Sequence, residues 1–214
     1  MKKVFACLLT SCLLLLSCGD DDFEYPNIVT ELAEITISSS AENLIQFSTD
    51  KGERWTVVNK VKLEGIKSDS IYRTIATYEP QSEDKAILYN LQFPIASLPI
   101  NEAEVEGAIK TDPVEMQRMW KTDRYLNAVV EVMVKDKKHS FAFIDKGYRY
   151  NSNGTKTLQL LLSHDRDNDI EGFTEKVYLS IPIWTYENEL QAGDSICFEL
   201  NTVKEGFTTR TIPY

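Results

Sequence analysis

The residue with the plainest chemistry is Cys18. Lys2 and Lys3 precede residues 4–16, which carry no charge, and Leu15-Leu16-Ser17-Cys18 then leads into Gly19-Asp20-Asp21-Asp22. A basic start, a short apolar run and small residues at the exit make a secretory signal. The exit has the order of a bacterial lipobox, in which the cysteine becomes the first mature residue and its thiol carries lipid. A spanning helix needs about 20 apolar residues, and this run is too short for one. Cys12 follows Thr10-Ser11 and is a second candidate, but cleavage there would leave residues 13–16 exposed on the product. Cys18 is therefore the expected lipidation site, with residues 1–17 as signal and the membrane as a partner through the N-terminal lipid. Each buried CH₂ is worth about 0.8 kcal/mol, so several acyl chains hold firmly.

A second cluster is Ser163-His164-Asp165-Arg166-Asp167-Asn168-Asp169-Ile170-Glu171. Carboxylates at alternate positions suit a hard cation, and Asp165, Asp167, Asp169 and Glu171 are the candidate calcium ligands. A helix-flanked calcium loop would carry Gly at its sixth position and Glu at its twelfth. Here those are Ile170 and Lys176, so only a looser oxygen site survives beside a solvated acidic loop with Asp/Asn turn chemistry. The only histidines are His139 and His164. A zinc site would need both plus carboxylates; surface or network roles are the alternative. Nothing in the spacing brings Ser, His and Asp together as a triad. No phosphate-binding or dinucleotide motif is present, and no cofactor is expected.

Aromatic side chains offer a third chemistry, stacking on sugars. Tyr72 and Tyr78 are the candidate glycan face, while Trp55 and Tyr89 are in register with core positions. Asp69-Ser70-Ile71 and Asp194-Ser195-Ile196 resemble a short O-glycosylation signal, with Ser70 and Ser195 as acceptors; a turn Asp–Ser entering a strand is the plainer reading.

The net charge of −10 becomes −12 once Lys2 and Lys3 are removed, leaving 21 basic against 33 acidic residues. Such a surface repels phosphate backbones, so nucleic acid is excluded as a partner. Lys135, Lys137 and Lys138 read as a solvated hairpin tip. After processing only Cys18 and Cys197 remain of four cysteines, so no intramolecular disulfide is expected.

Period-two patterns position these groups. Five short strands fall between residues 34 and 93, with Asp50-Lys51-Gly52 as a hairpin turn. They suit a partly open OB-type barrel or half of a sandwich. Asn101 and Glu104 suggest a short helical turn in a boundary region, residues 94–113. After Pro113 the strands resume with 114–120 and then Leu126, Ala128, Val130, Val132 and Val134, the cleanest alternation, and six or seven strands in all argue for an antiparallel sandwich. The expected layout is all-β: an acidic tether over 18–27, an OB-like domain over 28–108 and a β-sandwich over 109–214.

Several segments together resemble the NigD-like lipoproteins. They are the lipobox with Asp20–Asp22, Thr111-Asp112-Pro113-Val114, Met119-Trp120, Tyr125-Leu126-Asn127, Ser163-His164-Asp165 and Val177-Tyr178-Leu179-Ser180. The resemblance implies an N-terminal OB-type domain, a C-terminal β-sandwich and a lipoprotein address, and the expected location is the outer membrane of the bacterial envelope. The acidic run after Cys18 resembles an export tract to the cell surface; a solvated spacer is the other reading. No catalytic residues carry over, so the chain is expected to bind or assemble rather than catalyse, with a protein or glycan partner. The family takes its name from a bacteriocin operon, which implies an accessory or immunity role, sequestering a toxin, as an alternative to a glycan-binding module.

Overall fold

The computed structural model describes residues 26–37, 44–61, 67 and 70–214. Cys18, its acidic run and Asp69 lie outside the described residues.

Strands β1 (Val29–Ile37), β2 (Leu44–Thr49), β3 (Arg54–Val57), β4 (Ile71–Ser82) and β5 (Lys85–Gln92) close a barrel in the order β1-β2-β3-β5-β4. Closure is made by β3 and β5, which run parallel through Thr56↔Lys85 and Val57↔Ala86. This is the strand order of an OB barrel. The expected β2–β3 hairpin is present, and Gly52 takes the left-handed turn position at φ 85°. Its core is small: Ala33, Ile35, Phe47, Ala76, Tyr78, Ala86 and Leu88. Phe47 meets Tyr78 edge-on at 4.9 Å, and Trp55 packs on Tyr78 from 5.4 Å.

Tyr89 departs from its expected place in the core and is 52% exposed. The cause is a bulge: Tyr78 pairs with Leu88 and Thr77 with Asn90, which leaves Tyr89 as the extra residue. An inserted residue reverses the in–out phase. Ala86 and Leu88 point inward before it and Leu91 packs on the core after it.

The second half comprises β6 (Ile100–Asn101), a 3₁₀ turn (Glu102–Glu104), β7 (Glu115–Lys121), β8 (Tyr125–Val134), β9 (Ser140–Tyr150), β10 (Lys156–Asp165), β11 (Phe173–Pro182), a second 3₁₀ turn (Trp184–Tyr186), β12 (Ser195–Thr202) and β13 (Gly206–Pro213). Asn101 caps the first turn, its side chain accepting from the Ala103 N–H at 2.9 Å. A five-stranded sheet, β13-β12-β10-β9-β6, faces a three-stranded one, β11-β8-β7. Between them pack Leu126, Ala128, Val130 and Val132 from one sheet and Phe143, Leu158, Leu160, Ile196 and Phe198 from the other.

The sandwich is not purely antiparallel: β10 pairs with β12, and β6 with β9, in parallel. The reason is topological. The chain leaves β10 for β11 in the opposite sheet and returns for β12, and such a crossover brings a strand back in the same direction. Ile100–Asn101, on the barrel side of the 108/109 division expected from sequence, already belongs to the sandwich sheet.

β8 is buried on both faces. Its even-numbered residues fill the sandwich, while Tyr125, Asn127 and Val129 are also buried, on the face turned to the barrel.

Candidate binding cleft at the barrel–sandwich joint

The two halves meet on a buried guanidinium. Along β4, Ala76 and Tyr78 point into the barrel, so Arg73 and Ile75 point out toward the sandwich. The Arg73 side chain is 3% exposed. Its Nη1 and Nη2 donate to both Asp50 carboxylate oxygens at 2.5 and 2.6 Å, and its Nε donates to Ser180 Oγ at 2.8 Å. Nη2 also reaches Asn127 Oδ1 at 3.3 Å, and the Ser180 hydroxyl donates to the same oxygen at 2.7 Å. Asn127 and Ser180 are direct cross-strand partners of β8 and β11. The Tyr125 ring lies 3.9 Å beneath the guanidinium. A buried charge is tolerated only when paired and hydrogen-bonded, and here a planar fork meets a carboxylate two-pronged.

Two further contacts fix the joint. Glu34 accepts from the Tyr125 hydroxyl at 2.5 Å and from Arg124 Nε at 3.2 Å. Burial, reinforced by Glu34, pushes the Tyr125 phenol up to about 12. The connecting segment adds a short ladder: Ile95 N–H donates to Tyr178 O and Ser180 N–H to Ile95 O.

Two recesses open beside this joint, on either side of the Asp50-Lys51-Gly52 turn. One, of about 450 Å³, is walled by Leu32, Ile75, Arg118, Trp120 and Tyr178. The Arg118 guanidinium lies 4.5 Å over the Trp120 ring. The other, of about 380 Å³, is polar, with Arg54, Arg124, Ser48, Thr122 and Asp123 on its walls. Asp50, Lys51 and Thr122 are common to both. An aromatic wall beside a charged one, on a rigid joint, is the anatomy of a recognition site.

The 163–171 cluster does something else. His139 Nδ1 and His164 Nε2 lie 2.9 Å apart, and His164 Nδ1 lies 3.0 Å from the Asp112 carbonyl. The carbonyl only accepts, so His164 Nδ1 carries hydrogen, and neutral His164 Nε2 then accepts from His139 Nδ1. Phe141 stacks on His164 at 4.6 Å. Burial holds His164 below its ordinary pKa. The two imidazoles and the Asp112 carbonyl thus form one hydrogen-bonded chain.

Asp169 is turned inward. Its Oδ2 accepts from Lys135 N–H at 2.7 Å, and Oδ1 from Asp136 and Ile170 N–H at 3.1 and 3.0 Å. Burial alone would raise its pKa, but these backbone donors outweigh burial and hold the carboxyl well below the usual range. As a calcium candidate it is corrected on this ground: its oxygens already clamp the β8–β9 turn. Asp167 pairs with Lys137 at 3.5 Å, and Glu171 lies 3.9 Å from Arg166. Asp165 accepts from the Asp167 N–H at 2.8 Å. Among the described residues, no group of three His, Cys, Asp or Glu side chains is placed to hold a metal.

Tyr78 does not form a glycan face. It is 1% exposed in the barrel core, with its hydroxyl donating to Glu31 at 2.6 Å. Tyr72 is half-buried, edge-on to Phe93 at 6.4 Å. Ser70 precedes β4 and Ser195 opens β12, both half-buried. Around Ser195 the local motif has structural work: Asp194 accepts from Lys156 and Gln191 N–H, and Ile196 is core. The joint's one signal in the sequence is Asn127, a polar residue near the start of an otherwise largely apolar strand.

An OB-type barrel docked on a β-sandwich through a buried arginine defines a two-module β protein with a cleft at its waist. Residues 96–214, more than half of the chain, match the family model of the NigD-like C-terminal beta sandwich domain, and the chain belongs to that family. Among solved structures it is similar to a NigD-like immunity protein from Bacteroides caccae, at 25% identity and TM-score 0.69, over 89% of this chain and 94% of that one. A protein provisionally described as toxin-related, from Parabacteroides distasonis, shares the fold at 16% identity and TM-score 0.65, over 88% of this chain and 93% of that one. A provisionally described lipoprotein from Bacteroides fragilis does so at 11% identity and TM-score 0.63, over 88% and 97%. No curated protein sequence matches the chain. No helix among the described residues is long and apolar enough to cross a membrane.

Proposed function

We propose that this chain is a non-catalytic binding protein of the bacterial envelope, anchored through lipid on Cys18, that holds a protein partner in the cleft at the barrel–sandwich joint. The observation that carries the reading is the cleft itself. Trp120, Arg118 and Tyr178 stand beside a joint made rigid by the Arg73 network, and aromatic and arginine side chains are the residues that anchor interfaces. The buried titratable groups support the same reading. Arg73 and Asp169 are occupied in holding elements together, and Asp50, on the wall of both recesses, is held two-pronged by Arg73. The test is affinity capture from native membranes with the wild-type chain beside Trp120→Ala and Arg118→Glu. A partner retained by the wild type and lost with both variants supports the reading; equal retention by all three refutes it.

The similarity to a NigD-like immunity protein favours one form of this function, protection of the producing cell by sequestering a toxin. Deleting the gene should then sensitise the cell to a bacteriocin-producing neighbour. Complementation by the wild type should restore survival, and complementation by Trp120→Ala should not. Unchanged survival of the deletion strain would remove immunity and leave envelope binding.

A further inference from the structure

We infer that a third recess, where the connecting segment crosses the open flank of the sandwich, binds a free amphipathic carboxylate: one acyl chain with an anionic head. The recess holds about 340 Å³, within the size range of small-molecule sites. Val132, Val134, Phe141 and Val177 form its apolar wall, with Phe93 and Ile95 opposite. Val132 and Val134 belong to the packed core between the sheets, while Phe141, Val177 and Ile95 are only partly buried against it. The recess is therefore a place where the interior of the sandwich reaches solvent. Phe93 stands 52% exposed at its edge. An apolar side chain left in water beside an apolar gap gains when a hydrocarbon chain covers both.

The rim gives the head group its sign. Lys137, Lys138 and Lys176 line the recess, with Glu175 as the acidic residue among them. Lys137 is engaged by Asp167 at 3.5 Å. Lys138 and Lys176 have no carboxylate in salt-bridge reach among the described residues. This is a locally positive mouth on a chain of net charge −10. A neutral lipid would leave both ammonium groups unused, and a sugar would leave the Val132, Val134 and Val177 side chains without an apolar partner. A single anionic head on an apolar tail satisfies both parts. Ile75 and Tyr178 also line the cleft at the joint, so the two sites share a wall.

The test uses chain 19–214, which keeps every described element and whose cooperative unfolding is checked first. Decanoate, decanol and butyrate are titrated calorimetrically below their solubility and micelle limits. Decanoate is expected to saturate one site, with decanol and butyrate at least about tenfold weaker, a loss of roughly 1.4 kcal/mol each. Lys138→Glu with Lys176→Glu should weaken decanoate at least about tenfold in a variant that still unfolds cooperatively, its midpoint lowered slightly because residue 176 lies opposite Glu131, and Val177→Trp should block it. The proposal is overturned by the absence of saturable decanoate binding, by equal binding of decanol, or by full affinity in the charge-reversed variant. Binding to anionic phospholipid vesicles without binding of free decanoate would make the mouth a membrane contact and overturn it too. None of these readouts depends on Cys18 or Trp120.

Discussion

Arg73 and Ser180 are 107 positions apart in sequence and joined by a 2.8 Å hydrogen bond across the barrel–sandwich joint. That bond is one arm of a guanidinium that also holds Asp50 two-pronged and touches Asn127. Removing one member of a buried ion pair leaves the other desolvated and alone, which costs about 3–5 kcal/mol. Asp50 is 17% exposed and can recover some hydration. Arg73→Leu is therefore expected to lower unfolding free energy by about 3 kcal/mol. Arg73→Lys keeps the charge but not the fork and should lose about 1–2 kcal/mol. Urea titrations of both variants measure this, and losses under about 0.5 kcal/mol in each would mean the joint does not rest on Arg73.

Stability should fall on mild acidification. Burial holds His164 below its ordinary pKa, and backbone N–H donors overcome burial to hold Asp169 below its own. Both groups bind protons less readily folded than unfolded. Each therefore contributes stability above its unfolded value and loses it as pH falls toward the folded one. The unfolded values are about 6.5 for histidine and about 3.9 for aspartate. The thermal midpoint should be level from about pH 8 to 7, drop below about 6.5 and drop again below about 4. His164→Gln should remove the upper drop while leaving the lower one. A midpoint that does not move between pH 7 and 5 in the wild type would contradict the buried-histidine network.

The strands were legible because one side of each carries the pattern. Leu126, Ala128, Val130 and Val132 alternate with other residues, and they do face the opposite sheet. The phase of β5 was not legible, because the bulge at Tyr89 is set by pairing with β4 rather than by any local signal. The joint was hidden for a related reason. Arg73, Asp50, Asn127 and Ser180 are ordinary polar residues in four separate segments, and only the docking of two modules makes them one network. Asp169 looked like a cation ligand because alternate carboxylates are what sequence shows. Two of the three backbone N–H groups that occupy it come from residues 34 and 33 positions away.

Gly172 is constrained by space rather than by backbone angle. A Cβ there would stand 2.9 Å from Lys135 Cβ and 2.9 Å from the Val134 carbonyl oxygen. The carbonyl belongs to the end of β8 and cannot swing aside as a side-chain tip can. Gly172→Ala should cost about 1–3 kcal/mol by forcing the strands apart. Gly154 is the opposite case, at φ 83° with nothing near its Cβ position. Gly154→Asn should stay within about 0.5 kcal/mol, because asparagine tolerates the left-handed region. Thermal unfolding of the two variants side by side separates crowding from backbone strain, and equal losses would reject the distinction.

The anchor makes a prediction of its own. Residues 4–16 are an uncharged run too short to span a bilayer, so in the proposed function attachment rests on lipid at Cys18. Cys18→Ala removes the acyl acceptor while leaving the apolar run intact. In a fractionated culture the variant should accumulate as uncleaved precursor or as soluble protein, and mass spectrometry of the wild type should find an acylated residue 18 as the first residue. Membrane association unchanged by the substitution would show that attachment comes from elsewhere.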